Sequence, residues 1–103
     1  IAGASYGGLA AVWAGFNHPE WFGNVYSQSG SFWWAPGWAR AGHFVQGEAQ
    51  AEWLTRRLAE SPRLPLRFQL EAGLFETGRL GAVGIRDATR HLRDVLRLSR
   101  FDA

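Results

Sequence analysis

The 103-residue chain contains no cysteine and no lysine. Without thiols it can build neither a disulfide framework nor a thiolate metal site. That suits a cytoplasmic protein and does not exclude a secreted bacterial one. Without lysine, every basic residue is arginine, charged to very high pH, yet the formal net charge is only +2. The arginines are scattered from Arg40 to Arg100 and often stand beside Asp or Glu. They read as a solvated surface, because a nucleic-acid partner calls for a clustered basic stripe. No apolar run approaches the roughly 18 to 20 residues of a membrane helix, and the opening residues do not read as a signal peptide. No group of His, Asp and Glu has metal-ligand spacing. The expectation is no nucleic acid, no membrane, no metal and no cofactor. The sequence opens on Ile1-Ala2-Gly3 rather than methionine, so it is expected to enter a longer protein in its middle.

What is present argues for a packed chain. Hydrophobic residues make up 47% and aromatic residues 15%, too much apolar surface for a disordered segment. No repeat, low-complexity tract or internal boundary divides it, so residues 1–103 are expected to form part of a single domain. Leu9, Val12, Trp13 and Phe16 recur at helical spacing and predict an apolar helix face. Asn17-His18-Pro19 stops that helix, since proline cannot continue the hydrogen-bond ladder. Asn24 to Gln28 reads as a strand running into the turn-rich Ser29-Gly30-Ser31. The tryptophan-rich stretch from Phe32 to Gly47 has no clear period and reads as a structured loop. A second helix is predicted over Glu48 to Glu60, burying Trp53, Leu54 and Leu58. Leu66 to Leu70 alternates as a strand does. A last helix, Gly81 to Leu98, is marked by Ile85, Ala88, Leu92, Val95 and Leu96. Strands alternating with helices imply an α/β fold, a parallel sheet covered by helices. Two clear strands do not complete such a sheet, so neighbouring strands are expected on both sides.

Gly3-Ala4-Ser5-Tyr6-Gly7 matches G-x-S-x-G, with an amphipathic helix beginning directly after the serine. This pattern has a steric origin. A strand that turns into a helix within about two residues forces the serine into a sparsely populated backbone conformation. The flanking positions then crowd each other and the adjoining strands, which glycine tolerates. The turn lifts the serine oxygen to the sheet edge at a helix N-terminus, where the dipole and free N–H groups favour a developing oxyanion. Ser5 is thus the candidate nucleophile and the Tyr6 N–H the candidate oxyanion donor. The same pentapeptide also arises by chance in glycine-rich chains.

The stretches IAGASYGGLAAVWAG and HPEWFGNVYSQSGSFWW, followed by LEAGLFE and RHLRDVL, resemble an esterase branch of the α/β-hydrolase superfamily. They are most similar to the enterochelin (enterobactin) esterases and related siderophore esterases. The resemblance covers nearly the whole chain, from the elbow to the helix after the acid-bearing strand. It implies a three-layer α/β/α fold with a parallel sheet, lacking here the N-terminal strands and the last strand with its catalytic histidine loop. It implies Ser5 as nucleophile and Glu76 as the acid, three residues after Gly73, with Glu71 as the rival carboxylate. The acid's role is to orient a histidine and stabilise its imidazolium form. Of the histidines present, His18 lies in a helix-ending turn, His43 in the Trp-rich loop and His91 inside a regular helix. None has the order and position the resemblance requires, so the base is expected to be absent and the chain alone inactive.

By the same resemblance Trp33 and Trp34 face the substrate, with indole faces suited to catechol rings, and Arg40 attracts an anionic ferric siderophore. The implied partner is a small-molecule ester, any iron belonging to that substrate. Each tryptophan could equally pack the loop onto the body. Feruloyl and acetyl-xylan esterases, general carboxylesterases and mycolyl-type acyltransferases share the fold, and fold does not fix substrate. A relict hydrolase fold acting as a binding or structural module is the alternative of another class, and an intact small domain of unrelated fold a third. Left with unpaired strand edges, the isolated chain is expected to be poorly soluble.

Overall fold

A computed structural model of the chain describes residues 1–37, 51–78, 83–99, 101 and 103. In chain order its elements are β1 (Ala2–Ala4), α1 (Tyr6–Asn17), β2 (Asn24–Gln28), α2 (Trp53–Ala59), β3 (Arg67–Glu71) and α3 (Ile85–Leu98). The strands form a parallel sheet in the order β1-β2-β3. Gly3 stands opposite Ser27, and Val25 opposite Phe68. Among the described residues no helix is long and apolar enough to cross a membrane.

The strand order decides where the helices go. Crossovers between parallel strands are right-handed, so strands added one after another in a single direction put their helices on one side. One core follows: Ala11 and Val12 of α1, Leu54 and Leu58 of α2, and Ala88, Leu92 and Leu96 of α3 pack with Val25 and Phe68. The opposite sheet face presents Asn24, Gln28, Arg67, Gln69 and Glu71, all exposed. Strand alternation sorts the two sets, since neighbouring side chains point to opposite faces. Helices on both faces require a reversal of strand order, which the described strands do not contain.

In α1 the helical period is present but its buried face is rotated by one residue from the predicted one. Gly8, Ala11, Val12 and Gly15 are buried, whereas Leu9 and Phe16 are half-buried at the flank and Trp13 is 37% exposed. Close approach explains the rotation. A methyl group on Gly15 would stand 2.6 Å from Val25 Cγ2, and one on Gly8 would stand 2.5 Å from Ser27 Oγ. The small residues therefore face the sheet. Trp13 lies aside, its ring tilted against Phe16 and Trp53 with ring centroids 6.0 and 5.0 Å away.

Boundaries shift for local reasons. Helix α2 starts at Trp53 rather than Glu48, because Glu52 is left-handed at φ 57° and cannot belong to a right-handed helix; residues 48–50 lie outside the described set. Its buried residues are Leu54, Thr55 and Leu58, with Trp53 half-buried. Helix α3 starts at Ile85, after an extended Gly84; residues 79–82 are likewise outside. Strand β3 runs one residue past the predicted end, since Glu71 still pairs with Gln28.

Candidate active site

The C-terminal ends of the three parallel strands lie side by side, the edge where α/β sheets bind their ligands. Each end carries a functional group: Ser5 follows β1, Ser29 follows β2 and Glu76 follows β3.

Ser5 adopts φ 55° and ψ −125°, a conformation almost reserved for glycine, costing about 1–3 kcal/mol for any other residue. The surroundings hold it there. Its N–H donates to the Gln28 carbonyl at 3.0 Å, and its carbonyl accepts from Gly8 (3.0 Å), Leu9 (3.2 Å) and Ser31 (3.1 Å). Its side chain is exposed and makes no capping hydrogen bond. Tyr6 is the first residue of α1, so its N–H has no intrahelical acceptor and points where the helix dipole is positive.

The glycine requirement is only partly the predicted one. A methyl group on Gly3 would stand 2.0 Å from the Gly7 carbonyl oxygen, and one on Gly8 would stand 2.9 Å from Gly30 Cα. Nothing lies within 4 Å of the corresponding point on Gly7. The tight turn is enforced at Gly3 and Gly8, not at Gly7.

The carboxylate of Glu76 is anchored through one oxygen. Oε1 accepts from Ser29 Oγ and from the Gly73 N–H, both at 2.6 Å. The main chain is pinned as well: Glu76 N–H donates to Gly73 O at 3.1 Å, and Glu76 O accepts from Arg86 N–H at 2.8 Å. The hydroxyl of Ser29, followed by the Gly73 N–H, holds the carboxyl below its ordinary pKa. Glu71 is occupied differently. On the exposed sheet face its Oε2 accepts from Tyr26 O–H at 2.6 Å, a bond that raises the Tyr26 pKa. An open groove of about 480 Å³ runs past Gln28, Ser29, Glu71, Gly73 and Glu76. Ser5 lies outside its lining and joins this group through Gln28, whose carbonyl it binds.

The aromatic candidates separate. Trp33 is half-buried and packs against Tyr6, ring centroids 6.0 Å apart, beside the elbow. Trp34 meets Trp53 edge-on at 5.9 Å, and its carbonyl accepts the Trp53 N–H at 3.1 Å; it fastens the loop to α2. Arg40 and His43 lie outside the described residues. His18 stacks on Trp21 at 4.5 Å and faces Glu20 at 3.3 Å. His91 Nδ1 lies 2.7 Å from Glu52 Oε1. Neither makes a hydrogen bond to Ser5 or Glu76.

A residue the sequence did not single out is Ser29. It was legible only as part of a turn, because its partner is set by the β2–β3 register and not by any local pattern.

A positive-φ serine between a parallel strand and a helix, with a carboxylate beyond a later strand of the same sheet, places the chain in the α/β-hydrolase class. A family model described as "Putative esterase" matches residues 1–61. The chain belongs to this esterase family. It is 41% identical over 83 residues to the iron(III) enterobactin esterase of Escherichia coli O6:H1, covering 73% of this chain and 20% of the relative. It is 36% identical over 77 residues to the iron(III) salmochelin esterase of the same strain, covering 74% and 18%. The crystal structure of the Shigella flexneri enterobactin esterase with 2,3-dihydroxy-N-benzoyl-serine aligns with a TM-score of 0.68 at 39% identity, covering 93% of this chain and 22% of that one. The chain thus spans about a fifth of the length of these relatives.

Proposed function

We propose that the whole protein carrying this chain is a serine esterase that opens ester bonds of a catecholate siderophore. Ser5 Oγ attacks the ester carbonyl while a histidine accepts its proton. The tetrahedral oxyanion is met by the Tyr6 N–H. Collapse expels the alkoxide, which takes the proton back from the imidazolium, and water then releases the acyl group from Ser5 by the same route. Glu76 orients the histidine and balances its positive charge. The base is a histidine other than His18, His43 and His91; the rings of His18 and His91 are engaged by Glu20 and Glu52. Trp33, beside Tyr6, offers an aromatic face to a catechol ring, and Trp34 shapes the loop behind it. Arg40 adds positive charge toward an anionic iron complex, the iron being part of the substrate.

The observation that carries this reading is the backbone of Ser5 at the β1–α1 junction. Support for the substrate comes from the relatives named for iron(III) enterobactin and iron(III) salmochelin. The test is release of catechol-serine units from ferric enterobactin by the whole protein, followed by chromatography against p-nitrophenyl butyrate as a plain ester. Loss of both activities in S5A, with His18→Ala and His91→Ala at the wild-type rate, is expected. Hydrolysis of the plain ester alone would make it a general carboxylesterase, and wild-type turnover in S5A would remove the serine mechanism.

A further inference from the structure

We propose that Ser29 is a positioning residue for the acid, fixing which carboxylate oxygen Glu76 turns toward the base. This deepens the reading of Glu76 as the acid and rests on it. The ladder between β2 and β3 ends with Ser29, whose N–H donates to the Glu71 carbonyl at 2.7 Å. There the backbone switches to φ 48°, a left-handed residue that a non-glycine side chain adopts only where its surroundings over-determine it.

The neighbour confirms how little freedom is left. Gly30 is buried, and a methyl group on it would stand 2.5 Å from the Phe32 ring and 2.6 Å from Ser27 Oγ. The chain therefore turns at Ser29 and swings its hydroxyl across the end of β3 to Glu76 Oε1 at 2.6 Å.

The chemistry lies in the division of labour between the two oxygens. Oε1 receives two donors, the Ser29 hydroxyl and the Gly73 N–H. Oε2 has no partner among the described residues. A carboxylate whose one oxygen is tied twice cannot spin about its last bond, so the other oxygen is held ready for an imidazole N–H. Gly73 alone would leave the carboxyl plane free to tilt. Ser29 supplies the second point that fixes it, from a different strand.

The experiment is a double-mutant cycle in the whole protein, with p-nitrophenyl butyrate as substrate. S29G is the main variant, because glycine suits φ 48° and removes the hydroxyl without adding strain. S29G is expected to lower kcat about tenfold, the scale of a lost hydrogen bond to a charged group, with KM within about twofold. In the E76Q background the same change is expected to cost no further kcat. Wild-type kcat in S29G while E76Q is impaired would overturn this proposal alone. An S29G loss repeated in full on E76Q would overturn it too, because Ser29 would then act elsewhere. Wild-type kcat in E76Q would overturn the acid assignment, and this proposal with it.

Discussion

The Ser31 N–H donates to the carbonyl of Ser5 at 3.1 Å. This bond ties the loop after β2 to the elbow after β1, and Phe32, the next residue, is fully buried behind it. With its root fixed, the loop delivers Trp33 against Tyr6. The strained serine and the aromatic face beside it are thus parts of one hydrogen-bonded unit.

The strain at Ser5 separates stability from activity. S5G relaxes the positive-φ backbone, whereas S5A keeps the penalty, so S5G should be the more stable by about 1 kcal/mol. Chemical denaturation of both variants measures the difference. Neither should turn over ester.

The glycines make a similar contrast within six residues of chain. G3A and G8A each place a methyl group against backbone or Ser27 and should lose about 1–3 kcal/mol or more, as overpacked sites do. G7A meets open space and sits in the first turn of α1, where alanine is the better helix former. Its stability in this chain should equal or exceed wild type. Thermal unfolding of the three variants decides it.

For Glu76 the pH dependence has a definite sign. Its carboxyl is held below the ordinary value of 4.5 by Ser29 and Gly73, so the stability it contributes is complete above about 4.5 and is lost as pH falls through its depressed pKa. E76Q should be less stable than wild type at neutral pH, and the gap should close as pH falls below the usual carboxylate range. Urea midpoints across that range provide the measurement.

Glu71 should behave as a sheet-face carboxylate and not as the acid. Its bond to Tyr26 raises the phenol pKa, so E71Q should bring Tyr26 ionisation down toward the usual value of about 10. Alkaline titration of tyrosine absorbance follows it, in a chain with only two tyrosines. Ester hydrolysis by E71Q in the whole protein should stay within about twofold of wild type.

The elements themselves were legible because Asn24–Gln28 and Ile85–Leu98 carry strong periods over whole turns or strands. The elbow was legible because Ser5, its glycines and the following helix are contiguous. Phase was harder to see. The period in α1 is satisfied equally by Leu9, Val12, Trp13 and Phe16 and by Gly8, Ala11, Val12 and Gly15. The sheet selects the small face, because a methyl group on Gly15 would stand 2.6 Å from Val25 Cγ2 and one on Gly8 2.5 Å from Ser27 Oγ. The start of α2 depended on a left-handed Glu52, which no propensity announces. The one-sided placement of the helices followed from strand order, a property of the sheet and not of any segment. Ser29 was hidden for the same reason: its bond to Glu76 joins positions 47 apart in sequence.

Covalent trapping of the nucleophile tests the central claim most directly. The whole protein would be treated with a fluorophosphonate and the labelled site mapped by peptide mass spectrometry. The adduct should fall on Ser5, disappear in S5A and coincide with complete loss of ester hydrolysis. Label on another residue, with S5A still hydrolysing ester at the wild-type rate, would contradict the account.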